Sequence, residues 1–241
     1  WMTVGDGGYV RHYMLDFSDT LGMMHSWDRL SRRFGYSGYF DLQHITEDLL
    51  TLGLVRRPWD GATLGAAGTT LGYFDATRYE PDAWRPGYPN HAYQHMTERD
   101  AAWMARIVAR FSDEHLRALV ERGHLSRPDV ADELRRTLAG RRDRILERWL
   151  TRLSPVAAPT VEDGVRLCAE DLALSSLLRT AADRRYAARV LVGDAAGAID
   201  VPVSLDTGRA CIEVPRAEGA SEERPSYLVL DIVASSLGRE T

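Results

Sequence analysis

The chain has 241 residues, 44% of them hydrophobic, with a net charge of −5 and a pI near 5.8. That is enough to bury the core of one domain plus an appendage, and the acidic balance lacks the basic footprint of a nucleic-acid binder. All 30 positive residues are arginine, so no Schiff-base lysine and no phosphate-binding lysine can come from this chain.

In chain order, Trp1 to Val4, the turn Gly5-Asp-Gly-Gly8 and the run Tyr9 to Asp16 predict a strand, a tight turn and a second strand. An isolated hairpin is marginal in water, so the fold is expected to continue upstream. Residues 18–38 read as a polar and aromatic connection. A helix is predicted from about Asp41 to Leu52, with Leu42, Ile45, Leu49, Leu50 and Leu52 as its apolar stripe and Gly53 as its stop.

Residues 56–96 carry Gly, Pro, Trp and Tyr with little periodicity. Their aromatics (Trp59, Tyr73, Phe74, Tyr79, Trp84, Tyr88 and Tyr93) either line a groove for sugar or peptide or, the plainer expectation, pin an irregular loop to a core. His91 and His95 have a spacing usable for zinc. No third ligand is evident, and Pro89 and Asn90 point to a loop.

Three helices follow. Thr97-Glu-Arg-Asp100 reads as a capping-box variant, with Trp103, Met104, Ile107, Val108 and Phe111 as the expected buried side. Ser112 caps a helix from Asp113 to Arg122 that Gly123 stops. A long helix runs from Ser126 to about Leu153 on the stripe Val130, Leu134, Leu138, Ile145, Trp149, Leu150 and Leu153. Its arginines (Arg135, Arg136, Arg141, Arg142, Arg144, Arg148 and Arg152) alternate with Asp132, Asp143 and Glu147, which favours a solvated face over an anion stripe.

Pro155 and Pro159 flank a predicted linker. Beyond it come a short strand from Gly164 to Cys168, a short helix from Asp171 to Leu178, and strand-like runs at 186–192, 199–205, 209–214 and 226–233, the pattern of a small antiparallel β module. Cys168 and Cys211 fit no metal spacing, and pairing cannot be deduced from sequence; buried thiols are the plainer expectation. No apolar run approaches the ~18 residues of a membrane-spanning helix. The fold class is therefore α+β: an N-terminal hairpin, a mainly helical lobe, and a β module from about residue 160.

The sharpest chemical signal is His12-Tyr-Met-Leu-Asp16-Phe17-Ser18-Asp19-Thr20-Leu21-Gly22. An acidic residue at the end of an apolar strand can present a carboxylate rigidly to a magnesium ion; the bland alternative is that Asp16 caps a segment starting near Asp19. This stretch resembles the His-Tyr-Leu-Ile-Asp-Phe-Gly-Ser-Thr-Leu-Gly segment of a family of uncharacterised bacterial proteins expected to be exported. Trp84-Arg-Pro-Gly-Tyr88-Pro89-Asn90, Met96-Thr-Glu-Arg-Asp100-Ala-Ala-Trp103, Phe111 to Val120 and Arg141-Arg-Asp143-Arg-Ile145 match further blocks of that family in the same order. Similarity covers roughly residues 1–150.

Longer members of the family resemble the kinase-like fold of bacterial toxin-type serine kinases. The resemblance implies that residues 1–155 are the C-terminal, helical part of a kinase-like domain and 160–241 a separate β module. It implies ATP and magnesium as cofactors, with Asp16 on the metal and Asp19 and Thr20 assisting, a nucleotide as the ligand, and export from the cytoplasm. Ser18 stands where the family has glycine, and the family's strand lysine and catalytic-loop Asp and Asn are absent, so this chain is not a complete catalyst by itself. The rival expectation is a non-catalytic, envelope-associated interaction protein with a degenerate kinase-like fold. Substrate and protein partner are open.

Overall fold

The computed structural model describes residues 2–4, 10–12, 21–23, 27–192, 197–215 and 228–236. It is an α+β protein, with a hairpin, a helical stretch and a β-rich C-terminal part. The hairpin joins β1 (Met2–Val4) to β2 (Val10–His12) antiparallel, with Thr3 opposite Arg11. The chain divides into two compact units, residues 1–95 with 117–141, and residues 96–116 with 142–241.

In the first unit, α1 (Asp28–Arg33) arises inside what the sequence presented as a connection. Helix α2 (Leu42–Leu50) starts where expected, its Asp41 side chain accepting from the His44 N–H. Its apolar stripe is not buried. Leu42, Leu49, Leu50 and Leu52 all face solvent, Leu52 at 86% exposure. Periodicity marks a face that is suited to burial; it does not supply the partner. His91 to Gln94 form a short helix, α3, rather than a loop, because the Asn90 side chain accepts from the Tyr93 N–H and caps it. The hydrophobic centre of this unit is Ala67, Leu71 and Val130, packed on by Leu21, Leu125 and Leu134.

In the second unit, α4 (Glu98–Val108) opens on a complete Thr97–Asp100 capping box. Its buried side is Ala101, Ala102 and Ala105, while Trp103 and Met104 stay largely exposed. That corrects the expected stripe at Trp103 and Met104, while Val108 packs against the buried cluster as expected: small residues permit close helix–helix approach, and the bulkiest ones are turned outward. Helix α5 (Asp113–Arg122), whose residues from Arg117 on belong to the first unit, is capped by Ser112, whose hydroxyl accepts from the His115 N–H. Helix α6 (Pro128–Ile145) belongs to the first unit as far as Arg141 and runs on through the wider turn Leu146–Leu150, whose Leu146 and Leu150 are wholly buried with Ala105 and Leu172.

The anticipated linker is a strand. Here β3 (Val156–Glu162) carries Pro159 at the sheet edge, beside a register shift between Ala157 and Thr160, positions where a missing N–H is tolerated. It pairs with β4 (Arg166–Asp171), followed by α7 (Leu172–Ser175), β5 (Arg184–Val192), β6 (Ile199–Val201), β7 (Ser204–Asp206), β8 (Arg209–Glu213) and β9 (Leu228–Ser236). The strands form two antiparallel sheets, β3-β4-β8-β7 and β6-β5-β9. Alternate residues of β9, Leu228, Leu230 and Ile232, join Ala188, Val190 and Ile212 in a core fed by both sheets, while Val229 and Val233 point outward.

Cys168 and Cys211 lie directly opposite in β4 and β8 and form a buried disulfide, not the free thiols expected. Beside it, Asp171 is fully buried. Its carboxylate accepts from the Ala173 N–H at 2.9 Å, Arg184 Nε at 2.9 Å and the Tyr186 hydroxyl at 2.5 Å. A buried carboxylate is tolerated only with its charge and lone pairs matched in this way.

Candidate functional site

Asp16, Asp19 and Thr20 lie outside the described residues. The described part of their motif begins at Leu21 and Gly22, and that end is firmly held in the first unit. Leu21 packs on the hydrophobic centre. The Gly22 carbonyl accepts from the Tyr73 N–H at 3.0 Å. The two backbones touch: a Cβ on Gly72, whose φ is +57°, would stand 2.4 Å from the Gly22 oxygen, and one on Gly22 would stand 2.5 Å from the Phe74 nitrogen. Only glycine fits at either place.

The loop so anchored walls a cavity of about 380 Å³, at the lower end of the size of ligand pockets. Phe34, Tyr36, Tyr73, Tyr79 and Trp84 supply its aromatic surface, and Asp75, Arg78, Glu80 and Arg141 its polar groups. Each wall has a local cause. Gly35 bridges to Arg85 as an isolated β-pair, and its missing side chain leaves room for the Trp84 indole, 3.0 Å from where a Cβ would be. Gly140, the one glycine inside α6, lets Ala76 approach so closely that a Cβ there would be 2.8 Å from the alanine methyl. Arg141, the next residue, thereby slides under the loop. Its guanidinium carbon is 4.2 Å from the centre of the Phe74 ring and 4.0 Å from that of Tyr79.

The electrostatics are unusual at one point. Asp75 is opposed by burial, but the Arg78 N–H, the Thr77 hydroxyl and the Arg78 guanidinium bind its carboxylate and hold it below the usual aspartate range. Burial pushes the Tyr36 and Tyr79 hydroxyls up. Burial likewise lowers the basicity of Arg141, with Tyr79, Asp75 and Tyr36 working the other way. Among the described residues no carboxylate pairs with it, and its Nε is buried without a hydrogen-bond partner.

No family model, no curated protein and no solved structure matches this chain.

Of the aromatic residues singled out in the sequence, Tyr73, Tyr79 and Trp84 come together here, joined by Phe34 and Tyr36, which periodicity did not flag. Tyr88 instead packs edge-on against Tyr39, at 4.7 Å. The expectation of a solvated arginine face fails at three positions. Arg141 is stacked as described, Arg142 pairs with Asp113 and Asp143, and Arg148 lies over Trp149 while pairing with Glu98. The sequence did hold a clue to Arg141: a lone glycine inside a helix marks a close approach. His91 and His95 stack 4.3 Å apart, and among the described residues no group of three or more His, Cys, Asp or Glu could hold a metal ion.

Proposed function

We propose that this chain is the C-terminal part of a kinase-like protein that binds ATP and magnesium and acts on a substrate yet to be identified. The observation that supports the reading is the antiparallel pairing of Met2–Val4 with Val10–His12, whose described part lies four residues before Asp16. In this reading Asp16 holds the magnesium ion, Asp19 and Thr20 assist, and the helical stretch forms the floor of the cleft. Magnesium would draw off charge from the terminal phosphates. The described residues supply no metal-holding cluster of their own, so the metal site depends on Asp16 and Asp19. The anchored Gly22, six positions after Asp16, gives that segment a fixed end. Expectation of export is supported by the Cys168–Cys211 bond, since disulfides persist in oxidising compartments.

A second reading, a non-catalytic interaction protein, is favoured by the outward apolar face of α2, where Leu42, Leu49 and Leu50 have no cover. Magnesium-dependent ATP binding by the intact protein separates the two. Under the first reading it is present and is lost in Asp16→Ala. Binding that survives the substitution removes Asp16 from the site, and a wild-type protein that binds no ATP leaves the interaction protein.

A further inference from the structure

Most of the other inward-set arginines are already held, Arg33 and Arg106 by donating to the carbonyls of Gly38 and Ser154. Arg57 pairs with Glu47 and Asp48, Arg179 with Glu147, Arg184 with Asp171, and Arg142 and Arg148 with the acids named above. Arg141 is largely sunk into the pocket wall over two rings, and among the described residues no carboxylate pairs with it, Asp75 acting on its charge only at longer range; its Nε, like those of Arg33, Arg57 and Arg106, is buried without a hydrogen-bond partner. An arginine in a protein stays protonated, and a charge taken from water without a counter-ion is unfavourable unless something completes it.

We propose that the cavity lined by Tyr36, Tyr73, Tyr79, Trp84 and Arg141 is a binding site for a small aromatic carboxylate. Arg141 would receive the carboxylate on its planar fork while the rings cover the ligand's flat body. The chemistry of the lining narrows the class. Arg78 is already committed to Asp75, and Glu80 adds a negative charge to the lining, so Arg141 is the one positive charge available, which suits a monoanion and not a phosphate ester. Arg141 also occupies the cation position over Phe74 and Tyr79, so an organic cation would meet a like charge. The volume of about 380 Å³ admits a single-ring acid. This site does not involve Asp16 and stands whether or not the protein binds ATP.

The test is calorimetric titration of the intact chain with benzoate, followed in parallel by tryptophan fluorescence, since Trp84 lines the pocket. Saturable binding of one benzoate per chain is expected, weakened at least ~10-fold in Arg141→Met. Arg141→Lys should retain part of the affinity, because it keeps the charge and loses the fork. Removing an unpaired buried charge should leave the thermal midpoint of Arg141→Met unchanged or higher. Failure of benzoate to saturate would overturn the proposal, as would full affinity in Arg141→Met. So would benzamide or tetramethylammonium binding as well as benzoate. A lowered midpoint in Arg141→Met would overturn it too, showing that the arginine is a structural strut between two rings.

Discussion

The two units solve the problem of cohesion differently. The first is held by loops: glycine backbones in contact at Gly22 and Gly72, an isolated bridge at Gly35, and rings stacked on guanidinium groups. The second has two ladders of strands, a disulfide and a buried ion pair. Regular hydrogen bonding fills space evenly. Irregular backbone does not, and it is the loop-built unit that carries the largely aromatic pocket, with an arginine that no carboxylate pairs among the described residues. Loops placed on a fixed scaffold are where binding groups commonly sit.

The comparison breaks most sharply at Asp171. Asp171→Ala would leave Arg184 buried without its carboxylate, and the Tyr186 hydroxyl and Ala173 N–H without their acceptor. A loss of about 3–5 kcal/mol is expected in urea unfolding, whereas Asp171→Leu combined with Arg184→Met should recover most of it. The same cluster has an alkaline signature. Burial, with the hydrogen bond to Asp171 second, pushes the Tyr186 hydroxyl up to about 12 from an ordinary value of 10.0. A group that holds its proton more tightly when folded contributes its full share below the unfolded value. That share should therefore fade as pH rises from about 10 to about 12, and the fade should be absent in Tyr186→Phe. A fade that persists unchanged in Tyr186→Phe would place the effect elsewhere.

Next in size is the disulfide. Replacing both Cys168 and Cys211 by Ala is expected to remove about 2–5 kcal/mol, read as a lower urea midpoint. Because the bridge belongs to the β-rich unit, benzoate affinity should not change. A parallel loss of affinity would mean that the two ways of holding the chain together are not independent. In the loop-built unit the corresponding lesion is Gly72→Ala. It forces a side chain into a left-handed backbone and within 2.4 Å of the Gly22 oxygen. A loss of about 2–3 kcal/mol is expected, together with weakened benzoate binding, since Tyr73 is the adjoining wall.

Legibility in the sequence followed the same division. The hairpin, the capped starts of α2, α4 and α5, and most strands of the β module could be read from turn residues, caps and alternation, which are local signals. Burial was the weaker inference. The leucines of α2 and Trp103 of α4 have helical spacing and still face outward, while Ala101 and Ala105 are inside. Spacing reports a face, whereas which face is covered depends on residues distant in sequence. β3 was hidden because Pro159 looks like a breaker and is an edge residue beside a bulge. The pocket was half visible: its aromatics stood out, but Arg141 was submerged in a run of similar arginines and is distinguished only by Gly140 before it and the rings that meet it.

The smallest effect sharpens the comparison from the regular side. Thr97 accepts from the Asp100 N–H, and Asp100 accepts from both the Thr97 N–H and its hydroxyl, so two otherwise unpaired groups of α4 satisfy each other. Thr97→Ala should cost about 1 kcal/mol. The Thr97 N–H, then its hydroxyl, hold the Asp100 carboxyl below its ordinary value of 3.8. A carboxylate lowered on folding contributes stability that is present above that ordinary value and is lost as pH falls below it. The difference between wild type and Thr97→Ala should therefore be constant from pH 7 to about 5 and shrink in acid. A difference that grows on acidification would mean that the neutral carboxyl makes the better cap, and that the charge of Asp100 contributes nothing to the start of this helix.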